Sequence, residues 1–315
     1  MSEPALRVVT RRAHAKINVF LRVLGLRDDG FHDIESVVLP ISLHDVVTAT
    51  GATAGAGAGV DTGATAGASG ISLQVEGESE LTRLVSTELR DNLAGRAALA
   101  LAERAGLGAD SSGVALRVDK RISVAAGLGG GSADAAATLL ALDELWGCGL
   151  DEQALRDLAT QLGSDVPAML AGEPVLVSGR GERVIPVHTA NTWWVLKPFA
   201  FGVSAADAYG WWIDAPVTGP DPGVLIAALE TGDVDLLGDA IFNDLQPGVV
   251  AHYPDVGKAI DELADAGALG AIVSGSGPTV AALARHIGHA DSLASAVPGS
   301  IVVSGPPVRA QSGST

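Results

Sequence analysis

The sequence predicts a two-lobed protein of mixed α and β structure, and three observations predict it. The chain has 315 residues, 47% of them hydrophobic, which is enough for a buried core and, by length, favours two domains. Aromatic residues make up only 4%, while Ala, Val, Leu and Gly dominate, so aliphatic side chains build that core. Stretches that alternate apolar and polar residues are interleaved with stretches of helical Ala/Leu periodicity.

The elements follow in chain order. Leu6-Arg7-Val8-Val9 and Ile17-Asn18-Val19-Phe20-Leu21 alternate and are rich in β-branched residues, so both read as strands, with Lys16 and Asn18 projecting from one face. Gly51 to Gly70 holds too much glycine and too few large apolar side chains to pack; it reads as a mobile surface loop joining two strands, because Ile71 to Val75 alternates again. A helix is expected from Asp91-Asn92 to about Ala105, with Asp91 capping its first turn, and Val114 to Val118 reads as a strand. Val124 to Ser132 then reads as strand, glycine loop and helix N-terminus, followed by a buried helix over Ala133 to Trp146. Further helices are expected over Asp151 to Leu162 and Asp255 to Ala266. Ile272-Val273 leads into a second glycine turn, Ser274-Gly275-Ser276-Gly277-Pro278-Thr279, and Gln311 to Thr315 reads as a frayed tail.

Composition narrows the function. The formal charge of -17 is diffuse, and no run of Lys or Arg is interleaved with aromatics, so a nucleic-acid surface is not expected. The lone Cys148 excludes an intramolecular disulfide or a multi-cysteine metal site. No basic and apolar leader opens the chain and no uncharged apolar run reaches membrane-spanning length, so no membrane association and a cytoplasmic location are expected.

The strongest chemical signal is Gly127-Leu128-Gly129-Gly130-Gly131-Ser132. Glycines let backbone N–H groups approach an anion, and the following helix adds its positive end. A tight packed turn needs only one or two glycines, so a phosphate-binding turn is the better reading. It is not a Walker A loop, since no Gly-Lys-Ser/Thr closes it, and Ser132 stands where a dinucleotide fingerprint has its third glycine. Phosphoryl transfer needs countercharge, a metal and a carboxylate base; Lys16, Ser132, Asp134 and Asp165 are the candidates. Asp165, in Gly163-Ser164-Asp165-Val166-Pro167, is expected to be partly buried, where a lysine such as Lys16 would keep it ionised. A turn-forming aspartate ahead of a proline fits the same spacing, which does not decide between the two. His32 follows the turn Asp28-Asp29-Gly30 and, taken alone, reads as a surface histidine.

Taken together, three blocks resemble the GHMP kinase superfamily across nearly the whole chain: Ala15 to Val23 with Arg27 to His32, Lys120 to Ala136, and Ser274 to Thr279. Asp91-Asn92-Leu93, Gly163 to Pro167 and Asn243-Asp244-Leu245-Gln246-Pro247 sit at family-like positions between them. The resemblance implies an α+β two-lobed fold, with an N-terminal ATP-binding α/β lobe over 1–187 containing a left-handed βαβ crossover. It further implies a C-terminal ferredoxin-like lobe over 188–308 and a flexible tail over 309–315.

The same resemblance implies an ATP-dependent small-molecule kinase using Mg2+, a monomer or homodimer. Its first block points to the branch whose substrate carries a cytidine diphosphate group. Asp165 would be the general base and Lys16 its charged partner; Asn18, Phe31, His32, Asp165, Ser274 and Gly275 would touch substrate. Ala126, Gly127, Leu128, Gly129, Gly130, Gly131 and Ser132 would wrap the ATP phosphates, with Ser132 on the metal and Asn92 and Lys120 beside the adenine. Phe31 stands where the family commonly carries tyrosine, which keeps a stacking ring and loses a phenol; Ser123 replaces a usual proline. Competing readings are a kinase of the same superfamily for another alcohol, a nucleotide-binding regulator without turnover and, weakest, a dehydrogenase.

Overall fold

The computed structural model describes residues 6–51, 70–77, 85–108, 112–212 and 219–307. The predicted tail, and all of the predicted Gly51–Gly70 loop except its two end residues, lie outside them.

Two long strands open the chain, β1 (Arg7–Leu26) and β2 (His32–Gly51), each of 20 residues. The two strands expected over Leu6–Val9 and Ile17–Leu21 are therefore one. Val9, Ala13, Ala15 and Ile17 keep the inward alternation while polar Thr10 and Arg12 fall on the outside, so nothing interrupts the extended backbone. After β3 (Ile71–Gly77) come α1 (Leu93–Arg104), β4 (Val114–Lys120), α2 (Gly130–Trp146), α3 (Glu152–Leu162), α4 (Val166–Ala171), β5 (Val175–Gly179) and β6 (Arg183–Pro186). The remainder runs β7 (Thr192–Lys197), α5 (Ala205–Gly210), α6 (Pro222–Thr231), α7 (Val234–Ala240), β8 (Phe242–Asn243), α8 (Gln246–His252), α9 (Pro254–Asp265), β9 (Gly270–Val273), β10 (Val280–Ala284), α10 (Ile287–Ala296) and β11 (Ile301–Gly305).

Two boundaries differ from expectation. The cap of α1 is Asn92, whose side chain accepts from the Ala94 amide at 2.9 Å, rather than Asp91, because Asn92 is the residue with extended backbone immediately before the first helical turn. No strand follows Lys120 into the glycine loop, and α2 starts at Gly130, so the last two glycines form its first turn.

The described residues form two compact units, each discontinuous in sequence. One comprises the residues up to Ala13, His44–Val124 and Gly130–Leu170. In it β3 and β4 are parallel, in register from Ile71 opposite Val114, with α1 as the connection, and β4 is antiparallel to the second half of β2. Its core joins Ala94, Ala97, Ala98 and Leu101 of α1 to Ala135, Leu139, Leu142 and Leu145 of α2. Alanine on both helix faces permits the close approach that a scarcity of aromatic residues requires.

The other unit comprises His14–Leu43, Ala125–Gly129 and Ala171 onward. Here the first half of β2 pairs with β5, β5 pairs with β6, and β1 runs parallel to the short β8 at Phe20–Phe242 and Leu21–Asn243. A separate antiparallel sheet has the order β11-β7-β10-β9, the strand order of a ferredoxin-like fold. Val256 and Leu263 of α9 and Ala290 and Leu293 of α10 share one core cluster with Val195 of β7 and Val280 and Ala282 of β10.

Candidate active site

Lys16 and Asn18 face the same way from β1 and both are buried, at 4% and 5% exposure. A buried ammonium needs acceptors. Nζ of Lys16 donates to Oδ1 of Asn18 and to the Gly127 carbonyl at 2.8 Å, while Nδ2 of Asn18 donates to Oγ of Ser36 at 2.7 Å. Backbone bonds fix the glycine loop on the same strand and turn: Lys16 N–H to the Leu128 carbonyl at 3.0 Å, and Thr279 N–H to the Ala126 carbonyl at 3.3 Å.

The second glycine turn meets the first. Ser274 Oγ donates to the Gly127 carbonyl at 3.0 Å and accepts from the Asn18 amide at 3.3 Å. Gly127 has φ +76°, and a β-carbon there would lie 2.0 Å from the Ser274 carbonyl oxygen, so only glycine fits. Ala125, at φ +52°, is a non-glycine residue in the left-handed region; its carbonyl accepts from Val203 N–H at 3.1 Å. The structure thus brings together Lys16, Asn18, Ala126, Gly127, Leu128, Gly129, Ser274 and Gly275.

Beside the first turn of α2 lies a buried ion cluster. Lys120 bonds the carboxylates of Asp45 and Asp134, the latter at 2.7 Å, and Asp45 also accepts from the amides of Arg121 and Ile122. A β-carbon on Gly130 would lie 3.3 Å from Nζ of Lys120, so this ammonium sits directly against the helix start. Burial opposes charge on Lys120, but attraction to Asp134 and Asp45 outweighs it and holds the group above the ordinary lysine range. Burial, reinforced by the Asp45 charge and opposed by Lys120, pushes the Asp134 carboxyl up to about 7. Asp134 Oδ1 is buried with no hydrogen-bond partner. Asn92 and Lys120 are thereby committed to protein groups, Asn92 through its cap and a 2.8 Å bond from Nδ2 to the Ser86 carbonyl. Gly131 is exposed and Ser132 half-buried in the first turn of α2. Among the described residues no group of three or more His, Cys, Asp or Glu could hold a metal ion.

Asp165 is exposed rather than partly buried. It immediately precedes α4, its carbonyl accepting from Met169 N–H at 3.1 Å, and a carboxylate entering a helix sits naturally at the solvent-facing first turn.

His32 stacks on Tyr209, ring centroids 4.9 Å apart, and meets the edge of Trp212 at 5.6 Å. Phe31 is 47% exposed, with the Arg180 guanidinium 5.1 Å over its ring. Two aromatic faces beside a turn suit a planar base. Sequence reasoning missed Asp45, Arg180, Tyr209 and Trp212; the concentration Tyr209-Gly210-Trp211-Trp212 in an aromatic-poor chain was the available signal for the last two.

Residues 92–173 match the GHMP kinases N terminal domain and residues 225–301 the GHMP kinases C terminal domain. A 4-diphosphocytidyl-2-C-methyl-D-erythritol kinase of Streptomyces avermitilis is 41% identical over 295 residues, covering 92% of each chain. One of Kineococcus radiotolerans is 42% identical over 298 residues, 92% of this chain and 86% of that one. The crystal structure of a 4-(cytidine 5'-diphospho)-2C-methyl-D-erythritol kinase superposes with TM-score 0.72 at 29% identity, covering 94% of this chain and 98% of that one. Homoserine kinase from Cytophaga hutchinsonii shares the fold, with TM-score 0.71 at 19% identity over 97% of this chain and 95% of that one. The chain belongs to the 4-diphosphocytidyl-2-C-methyl-D-erythritol kinase family of the GHMP kinases.

Proposed function

We propose that this chain transfers the γ-phosphoryl group of ATP to the 2-hydroxyl of 4-diphosphocytidyl-2-C-methyl-D-erythritol, a step of non-mevalonate isoprenoid synthesis. The observation that carries the reading is the Lys16 ammonium bonded at once to Asn18 and to the Gly127 carbonyl of the glycine loop. A fixed positive charge there is suited to the region where acceptor hydroxyl and transferred phosphoryl group meet.

In this reading Asp165 takes the proton of the acceptor hydroxyl, whose oxygen bonds to the γ-phosphorus as the bond to the β–γ bridging oxygen breaks, releasing ADP. The amides of Gly129, Gly130, Gly131 and Ser132 donate to ATP phosphates at the positive end of α2. Bound Mg2+ supplies further neutralisation of phosphate charge, with Ser132 as its protein ligand. Asn92 and Lys120 border the adenine, while Phe31 and His32, the latter backed by Tyr209, receive the cytosine ring, with Ser274 and Gly275 lining the alcohol. The proposed ATP-binding and C-terminal domains divide at 187/188, between β6 and β7, whereas the compact units put β5 and β6 in the unit that carries the C-terminal sheet. A cytoplasmic location fits a chain in which no described helix is long and apolar enough to cross a membrane.

Purified protein is assayed with ATP and Mg2+ on the diphosphocytidyl alcohol, homoserine and mevalonate in parallel. ADP release with the cytidine compound alone is the expected result. Turnover of either other alcohol alone would sink the substrate assignment and leave the kinase assignment standing.

A further inference from the structure

The segment Asn243 to Pro247 carries a buried asparagine whose side-chain oxygen and both side-chain N–H donors are hydrogen-bonded. Asn243, 6% exposed, donates from Nδ2 to the Val273 carbonyl at 2.7 Å and to the Gly275 carbonyl at 2.8 Å, and accepts from the Leu245 amide at 2.9 Å. It therefore grips both sides of the turn that carries Ser274. Asn243 also lies opposite Leu21 on β1, three residues beyond Asn18 on the strand that supplies Lys16.

We propose that Asn243 is a positioning residue for Lys16, holding the Gly275 turn as a wall against the Lys16–Asn18 pair. Gly275 has φ +56°, and a β-carbon there would lie 2.8 Å from Asn18 Oδ1 and 3.0 Å from Lys16 Nζ. Backbone packed that closely fixes the ammonium only if the backbone itself is fixed, and glycine has no side chain with which to anchor itself. The carbonyl of Gly275 is tied by Asn243, while Ser274 links the same turn to Gly127 and Asn18. Two divergent N–H donors from one amide suit that task, since no charged or hydroxyl side chain of similar size offers two donors together with an acceptor.

Gln246 provides the contrast. Its Oε1 accepts from the Val273 amide at 2.9 Å, so it supports the strand leading into the turn without any bond to Gly275.

The inference rests on the proposed reading in taking Lys16 to act at the reacting atoms, so its test includes a readout that needs no turnover. Asn243→Ala, Asn243→Ser and Gln246→Ala are compared with wild type for thermal midpoint, for kcat and both KM values, and for the acetylation rate of Lys16 in ligand-free protein by peptide mass spectrometry. Asn243→Ala is expected to lower kcat by about tenfold or more with KM for ATP little changed, and to speed Lys16 acetylation. Gln246→Ala is expected to lower the thermal midpoint and leave both readouts at wild-type values. Unchanged Lys16 acetylation in folded Asn243→Ala, with kcat within about twofold of wild type, would overturn the proposal. Should the alanine variant not fold, Asn243→Ser, which retains one donor, decides by the same criteria. Wild type inactive on every alcohol would count against the proposed function alone, because Lys16 acetylation still judges Asn243.

Discussion

The Lys16 ammonium lies 2.8 Å from the Gly127 carbonyl, so a strand lysine and the glycine loop are parts of one hydrogen-bonded assembly. Replacing it by Met keeps the stem and removes the donor and the charge. Lys16→Met should lower kcat by about a hundredfold or more in a single-turnover assay. The thermal midpoint should fall as well, because the Gly127 carbonyl and Asn18 Oδ1 lose a buried donor.

Asp165 is exposed, and Asn keeps its size while removing the carboxylate. Asp165→Asn should lower kcat by about 10² to 10⁴ while leaving ATP affinity and the thermal midpoint near wild type. Equilibrium nucleotide binding and a melting curve on the same preparation check both halves. Activity within a few-fold of wild type would remove Asp165 from the role of base.

Gly127 admits no side chain. Gly127→Ala combines a left-handed backbone with a β-carbon 2.0 Å from the Ser274 carbonyl, so the loop must shift. The expected cost is about 1–3 kcal/mol of stability together with weakened ATP binding, read by chemical denaturation and nucleotide titration.

Stability should carry a pH signature from Asp134. Its carboxyl is raised from 3.8 to about 7, chiefly by burial, so between those values the folded protein holds a proton that the unfolded chain releases. That contribution is fully present below about pH 4 and is lost as pH rises through about 7; stability therefore falls across this window on account of this group. Lys120 is raised from an already high value, so its own window lies well above neutrality. Asp134→Asn should flatten the decline in thermal midpoint measured between pH 5 and about 7.5. An unchanged pH profile in the variant would show that Asp134 is ionised throughout the range.

His32 stacked on Tyr209 offers a face for a base remote from the glycine loop in sequence. His32→Ala should raise KM for the cytidine substrate by about tenfold with KM for ATP unchanged, and initial-rate kinetics with each substrate varied distinguish the two.

The strands and helices were legible wherever periodicity was strong. The β-branched run around Ile17 and the Ala/Leu pattern from Ala133 each became an element, and both are buried on nearly every side. The second glycine turn was visible from composition alone, but its partner was not. Nothing local in Asn243 says that its amide will meet the carbonyl of Gly275, 32 residues on. Likewise Asp45 is one aspartate in a strand, and only the pairing of β2 with β4 places it against Lys120. Asp165 was misjudged for a related reason: burial depends on what the fold lays over a turn, and spacing carries no record of that.

By itself the sequence determined where glycine was concentrated, which strand face carried Lys16 and Asn18, and which blocks resemble the GHMP kinases, because composition and side-chain alternation are local properties. The tertiary structure alone decided which acceptors surround Lys16, that two buried carboxylates share Lys120, and that His32 lies on Tyr209. Those contacts join residues distant along the chain, and their energies arise from desolvation and hydrogen-bond geometry that exist only once the sheets and helices have packed.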